Sequence, residues 1–123
     1  KYVGRFKDML KRSGENISAH EVESVISAYP SVKAVAVIPV PHDIRHEEVK
    51  AVIQLRDGYD AVSFNYEEFM DFCLSSLAKF KVPRYVAFAD DFERTPSEKI
   101  IKSKLTGDDP HSGCWDYETN RVL

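Results

Sequence analysis

Residues 18–40 read SAHEVESVISAYPSVKAVAVIPV, a helix signal followed directly by a strand signal. Ser18 and Glu21 have the spacing of a capping box, in which each side chain satisfies backbone groups left open at a helix start. One apolar face follows, at Val22, Val25, Ile26 and Tyr29. Pro30 ends the helix. Residues 32–40 are apolar at nearly every position and rich in β-branched side chains, which predicts a strand covered on both faces.

The residues that follow extend this pattern into a small domain. Residues 49–55 alternate apolar and polar side chains, which predicts a half-exposed strand antiparallel to the first. A second helix is predicted to begin near Asn65, with Glu68 three residues later, and a short strand follows Pro83. The order predicts an α+β fold in which helices pack on one small sheet. Residues 106–123 are predicted to form a polar tail, with Trp115 as an anchor.

Composition narrows the class of protein. A chain of 123 residues fits one domain. Its net charge of −3 argues against a protein whose main role is to bind nucleic acid. The charge is uneven, because residues 1–12 hold five Lys/Arg against one Asp and residues 79–104 hold seven against four acids. Two such stretches indicate either a local anion site or ordinary solvated surface.

Cysteine and histidine usage points away from metal and disulfide chemistry. Cys73 and Cys114 stand far apart without a C-x-x-C motif, which disfavours a zinc site and suits a reducing cytoplasm. His42 and His46 lie with neighbouring acids in a loop that is predicted to be merely polar, so we predict no metal site. No segment reaches the ~18 apolar residues that a membrane span requires.

Two segments carry a resemblance to one family. The first, residues 4–23, is similar to the start of the C-terminal domain of the AMP-forming adenylating enzymes, which are acyl-CoA synthetases, luciferases and peptide-synthetase adenylation domains. Its matching positions are Gly4, Arg5, Lys7, Asp8, Lys11, Gly14, Glu15, Asn16, Ile17, Glu21, Val22 and Glu23. The second resembles the closing motif of that domain, at Phe80, Lys81, Pro83, Arg84, Arg94, Thr95, Ser97, Lys99 and Ile100. The resemblance covers residues 3–105 and is closest to carnitine/crotonobetaine-type CoA ligases.

The resemblance implies that residues 1–105 form the mobile lid of a longer enzyme, with a hinge near residues 4–8 and a short β-hairpin before the sheet. The implied enzyme is an acid–thiol ligase that uses ATP with Mg²⁺ and then CoA. These ligands would bind mainly with an N-terminal adenylation domain, the lid's implied partner, so none would be intrinsic to this chain. We therefore expect the chain to be inactive by itself. We expect no nucleic-acid partner and no membrane span.

The resemblance also implies a role for individual residues. Lys99 would stabilise charge during adenylation, and Lys11 would be the lysine presented in the second half-reaction. Arg5 would reach the ribose of the nucleotide, and Lys7 with Asp8 would form the hinge. The residues implied in CoA binding are Gly14, Phe80 and Arg84.

The chain departs from the family motif beside its lysine. Glu98 stands where the family usually has glycine, and Glu93 replaces the leading proline. Because glycine permits backbone angles that other residues avoid, we expect the loop to be shaped differently here. Alternatives remain open: a luciferase-like or carrier-loading lid, a small nucleic-acid-binding α+β module, and an interaction domain whose site has decayed.

Overall fold

The computed structural model describes residues 9–42, 46–102, 105 and 113–122. Within these ranges the chain forms seven strands, two α-helices and one 3₁₀ turn. The strands are β1 (Met9–Arg12), β2 (Glu15–Ser18), β3 (Val32–His42), β4 (His46–Leu55), β5 (Tyr85–Phe88), β6 (Trp115–Asp116) and β7 (Arg121–Val122). The helices are α1 (Ala19–Ile26) and α2 (Tyr66–Leu74), and the 3₁₀ turn spans Lys79–Lys81. The predicted α+β class is confirmed.

All seven strands belong to one mixed sheet, in which β4 is central. The antiparallel partner β3 occupies one edge of β4 along its whole length. The other edge is shared, because β1 meets β4 at its first residue and β5 pairs in parallel with Lys50–Ile53. Strands β6 and β7 then continue the sheet from β5. The start of β4 is therefore the point where β1 and β5 come closest in the sheet.

Helix α1 forms where the capping residue predicts. The Ser18 hydroxyl accepts from the Glu21 N–H at 3.3 Å, which satisfies one of the donors left open at the helix start. The Glu21 carboxylate does not complete the reciprocal half of the box, because it accepts from Lys81 Nζ at 3.0 Å. Val22 and Ile26 are fully buried against the sheet.

Helix α2 begins in the same way. The Asn65 side chain accepts from the Glu68 N–H at 3.0 Å, and the Glu68 carboxylate accepts from the Tyr29 hydroxyl at 3.1 Å. The Tyr29 ring packs on Phe69 with centroids 5.2 Å apart, in the edge-to-face arrangement that aromatic pairs prefer. These contacts tie both helices to the same face of the sheet.

The opposite face of the sheet is also covered, and this corrects the half-exposed strand predicted for residues 49–55. Lys50 and Gln54 are the two polar positions of that alternation. Only 7% of Lys50 and 8% of Gln54 is exposed to solvent. The segment after β5 covers this face, where Phe92 lies in a second apolar cluster and Gln54 Nε2 donates to the Asp90 carbonyl at 2.8 Å. The residues that cover this face are distant from β4 in sequence, so the alternation of apolar and polar residues within the strand does not reveal them.

Residues 113–122 differ from the expected polar tail. They form the β6–β7 hairpin, in which Cys114, Trp115 and Asp116 are buried. The Trp115 ring stacks on Tyr66 with centroids 4.4 Å apart and planes 7° apart. Burial of this large ring is the physical reason that the segment joins the sheet. Among the described helices, none combines the length and apolar character needed to cross a bilayer.

Candidate functional site

The turn that carries Lys99 is a small hairpin on the face of the sheet opposite the helices. Arg94 and Ile100 form an antiparallel bridge, and Ile100 packs with the apolar cluster around Phe92. Inside the hairpin, the Thr95 N–H donates to the Lys99 carbonyl at 2.8 Å, and the Lys99 N–H donates to the Thr95 hydroxyl at 3.2 Å. The backbone of Lys99 is thus fixed while its side chain is exposed.

Glu98 occupies the left-handed position of this hairpin. Its φ is +70°, and its N–H donates to the Thr95 carbonyl at 2.8 Å. A tight turn followed by one left-handed residue is a common hairpin closure, and that residue is usually glycine. The Arg94 guanidinium donates to the Glu98 carbonyl at 3.0 Å and helps to hold this conformation. Glu98 therefore keeps the backbone angle that glycine would allow, although we expected a loop of different shape.

Lys11 lies on the short hairpin at the start of the described chain. Its N–H donates to Glu47 Oε1 at 2.9 Å, and its side chain is exposed. Ser13 and Gly14 form the two-residue turn between β1 and β2, with φ of +53° and +87°. Positive φ at both central positions is the requirement of a type I′ hairpin turn, which gives Gly14 a backbone role. A Cβ added at Gly14 would meet nothing within 4 Å, so open space surrounds this turn.

A cluster of charges fills the point where β1, β4 and β5 converge. Glu48 is fully buried and accepts from Arg12 Nε on one carboxylate oxygen and from Arg84 Nη1, at 3.0 Å, on the other. Arg84 also donates to Asp116, with Nε–Oδ1 at 3.0 Å. Glu118 lies 3.6 Å from Arg84 and 3.8 Å from Arg12. Two guanidinium groups therefore share three carboxylates in this cluster.

The cluster shifts the acidity of its members. Burial opposes the charge on Arg84, but the hydrogen bonds to Asp116 and Glu48 outweigh it and raise the pKa of the guanidinium above its ordinary value. Burial also works against ionised Asp116, yet the Arg84 hydrogen bond prevails and lowers the pKa of that carboxyl. Both shifts favour the charged forms of Arg84 and Asp116, so this buried ion pair persists at neutral pH.

A surface pocket of about 760 Å³ opens beside the charge cluster. Its wall combines cations, two aromatic rings, one valine and one carboxylate. These residues are Arg12, Lys79, Arg84, Phe80, Tyr117, Val82 and Glu118. Phe80 is half-buried and Lys79 is exposed. A cavity with aromatic walls and cations can hold a planar ring that carries phosphate.

The structure groups some predicted site residues and separates another. Phe80 and Arg84 line the pocket, and Lys11 and Gly14 lie on the hairpin whose Arg12 reaches the same pocket. Lys99 lies apart, on the hairpin that packs against the other cluster. Arg5, Lys7 and Asp8 lie outside the described residues, as do the side chains of His42 and His46.

Sequence reasoning missed several residues of the site. Glu48 lies within β4 as a buried carboxylate, but it precedes the strand predicted for residues 49–55, so no sequence signal indicated its burial. Asp116 and Tyr117 were hidden in the segment interpreted as a tail. Lys79 had no distinguishing signal, because it belongs to a basic stretch.

Among the residues that the structure describes, the cations of the basic stretches do not form one continuous cationic face. Lys81 pairs with Glu21 at 3.0 Å, and Lys102 pairs with Glu23 at 2.7 Å. Within the described ranges, by contrast, no acid is paired with the side chains of Lys11, Lys79 or Lys99. This pattern of scattered cations does not favour the nucleic-acid-binding alternative, which needs a basic stripe.

Comparisons with known proteins agree on one relationship. The family model described as AMP-binding enzyme C-terminal domain matches residues 21–99. The chain is 44% identical over 104 residues to a crotonobetaine/carnitine–CoA ligase of Proteus mirabilis. The matched region covers 85% of this chain and 20% of that protein. The crystal structure of a Brucella canis acyl-CoA synthetase matches with a TM-score of 0.76 and 33% identity, over 84% of this chain and 19% of that one.

A Mycobacterium tuberculosis fatty acyl CoA synthetase matches with a TM-score of 0.71 and 35% identity, over 80% of this chain and 19% of that one. This chain thus spans about one fifth of the length of the relatives that it matches.

Proposed function

Because the chain belongs to the AMP-binding enzyme C-terminal domain family, we propose that it is the mobile lid of an AMP-forming acyl-CoA synthetase. The proposed reaction has two steps. A carboxylate attacks the α-phosphate of ATP, which enters with Mg²⁺, and pyrophosphate leaves. The CoA thiol then attacks the acyl carbon of the adenylate, and AMP leaves. The observation that carries the proposal is an exposed lysine on an ordered hairpin, directly after a left-handed residue at the position where the family usually has glycine.

Lys99 supplies positive charge in the first step. Negative charge gathers between the attacking carboxylate and the α-phosphate, and a positioned cation stabilises that transition state most. Exposure of the ammonium group supports this role, because the lysine must reach a substrate held by another domain. The hydrogen bond between the Lys99 N–H and the Thr95 hydroxyl supports it too, since a fixed backbone limits the positions of the charge.

Lys11 serves the second step from a different part of the domain. It lies on β1 beside the pocket, whereas Lys99 lies on the hairpin of the opposite face. One rotation of the lid would exchange the two lysines at the reaction centre. Arg5 would contact the ribose, and Lys7 with Asp8 would absorb the rotation as a hinge.

The thiol acceptor is proposed to bind along the hairpin and pocket described above. The open space around Gly14 supports passage of the pantetheine arm. Phe80 and Arg84 line the pocket that would receive the nucleotide end of CoA. The buried free thiols of Cys73 and Cys114 support a cytoplasmic enzyme, with the N-terminal adenylation domain as the partner of this lid.

The test separates the two half-reactions in the full-length enzyme. A panel of acids that includes carnitine, crotonobetaine and straight-chain fatty acids identifies a substrate. Lys99→Ala should then slow adenylation by roughly 10²–10³ while thioester formation from supplied acyl-adenylate survives. Lys11→Ala should do the reverse.

Lys33→Gln is the control. Lys33 is exposed near the start of β3, which pairs with the last residues of β4, whereas Glu48 lies near the beginning of β4. Equal loss of both half-reactions in both lysine variants would contradict the assignment.

A further inference from the structure

The turn between β6 and β7 brings a tyrosine to the wall of the pocket. The Tyr117 N–H donates to the Arg84 carbonyl at 2.7 Å, which continues the pairing of β5 with β6. The next N–H of the turn, that of Glu118, donates to Asp116 Oδ1 at 3.0 Å. Asp116 is itself buried and accepts from the Arg84 guanidinium. Hydrogen bonds at Tyr117 and directly after it therefore hold this turn, and the Tyr117 ring is presented from a fixed backbone.

The core uses only part of the Tyr117 ring. Trp115 is 5% exposed and stacks on Tyr66, whereas Tyr117 is half-buried. The centroids of the Trp115 and Tyr117 rings are 6.0 Å apart and their planes are 37° apart. Tyr117 also lines the pocket. Because a tyrosine ring is large and rigid, it offers a flat contact area to a ligand at a low cost in conformational entropy.

Phe80 provides a second ring of the pocket wall from a different segment. It lies on the 3₁₀ turn, which is tied to helix α1 by the ion pair between Lys81 and Glu21 at 3.0 Å. The Lys81 ammonium group also lies 5.7 Å from the centre of the Phe80 ring. Two aromatic rings from two ordered segments thus line one cavity. Its volume of about 760 Å³ lies within the range of about 300–1,000 Å³ that is usual for small-molecule sites.

We infer that Tyr117 is a specificity-determining residue of this pocket, where its ring contacts the heterocyclic base of a nucleotide-bearing thiol. A base presents a flat π face, and its contact with an aromatic side chain contributes strongly to affinity. A thiol arm attached to a carrier protein has no base, so this contact favours free CoA over a carrier-bound arm. The inference rests on the proposed function, because it assumes that the thiol acceptor of the second step enters this pocket.

The experiment uses the full-length enzyme, CoA, and the adenosine bisphosphate that forms the nucleotide end of CoA without its thiol arm. This bisphosphate should inhibit acyl transfer in competition with CoA. Tyr117→Leu removes the ring but keeps an apolar side chain. It should raise both the KM for CoA and the inhibition constant of the bisphosphate about five- to thirty-fold, as expected for one lost base contact. Tyr117→Phe keeps the ring and should leave both constants within about two-fold of wild type.

Tyr59→Leu is the matched control, since Tyr59 is 54% exposed in the loop between β4 and α2. It should change neither constant. Adenylation measured without CoA should stay within about two-fold of wild type in Tyr117→Leu, which shows that the domain still folds and closes on its partner.

Three results would overturn the inference. They are a bisphosphate that does not compete with CoA in the wild-type enzyme, a rise in the KM for CoA without a matching rise in the inhibition constant, and a loss of adenylation in Tyr117→Leu equal to its loss of acyl transfer. A wild-type enzyme that adenylates acids but never acylates CoA would instead contradict the proposed function.

Discussion

Replacing Glu98 with glycine tests whether the hairpin of Lys99 stores backbone strain. Glu98 has a φ of +70°, in the left-handed region. That conformation costs a residue with a side chain roughly 1–2 kcal/mol. Glycine removes the cost but loses roughly 0.5–1 kcal/mol more backbone entropy on folding. We therefore expect Glu98→Gly to raise the free energy of unfolding by roughly 0.5–1 kcal/mol.

Glu93→Gly is the matched control. Glu93 is also an exposed glutamate of the same segment, and it is not among the described residues with positive φ. Glycine there gains no relief of strain, so this variant should lose roughly 0.5–1 kcal/mol. The two variants should thus differ by about 1–2 kcal/mol, which is the cost of the left-handed conformation itself.

Urea unfolding of the chain at neutral pH measures both changes, and thermal unfolding should agree, at roughly 3–6 °C of Tm per kcal/mol for a domain of this size. Equal destabilisation by both variants would refute the strain argument. Adenylation by full-length Glu98→Gly should stay within about three-fold of wild type, because the turn already has the glycine-like conformation. A gain of more than ten-fold would show that the carboxylate screens Lys99.

Four single substitutions test a buried carboxylate, a buried thiol, the turn between β1 and β2, and the proposed hinge. Glu48→Gln should lower the free energy of unfolding by about 3 kcal/mol or more, because two arginines lose a buried partner; urea unfolding measures it, and a loss below about 1 kcal/mol would contradict it. Burial raises the pKa of the Cys73 thiol from 9.0 to about 12, so the thiol ionises less readily in the folded state than in the unfolded state. The contribution of this group to the free energy of unfolding should therefore be constant up to pH 9 and fall between pH 9 and about 12. Cys73→Val should delay that fall. Gly14→Asn should retain the turn, since Asn tolerates positive φ, yet slow acylation of CoA in the full-length enzyme while adenylation is unaffected; loss of both would indicate a turn defect alone. Lys7→Pro should preserve adenylation and abolish acyl transfer from preformed adenylate, since proline fixes φ near −65° at the proposed hinge; a single-turnover transfer rate near wild type would exclude that pivot.

Local signals predicted the helices and the central strands well. Ser18 and Asn65 cap the two helices as their spacing indicates, because capping depends on residues within one turn. The apolar run of β3 likewise predicted a strand buried on both faces. These features depend on neighbours in sequence, so a single sequence contains the information.

The charge cluster could not be predicted in this way. Glu48 and Arg84 are 36 residues apart, and Arg84 and Asp116 are 32 apart. Only the crossover from β4 through α2 to β5, followed by the return of residues 113–122, brings them together. The same reason explains the mistaken half-exposed strand, since Gln54 is covered by the segment around Asp90. Family resemblance identified Lys99 and Arg84 as candidates, but it did not indicate that acids neutralise Arg84.

The β6–β7 hairpin has a practical consequence for anyone who exchanges C-terminal domains between enzymes of this family. The family model stops at residue 99, so a chimera designed from that boundary would omit the hairpin. The recipient would keep β5 with an unpaired edge, Tyr66 without its stacked Trp115, and Arg84 without Asp116. An exposed strand edge beside bare aromatic surface invites self-association. A crossover placed after residue 122 avoids this, and we expect grafts cut there to remain monodisperse where shorter ones aggregate.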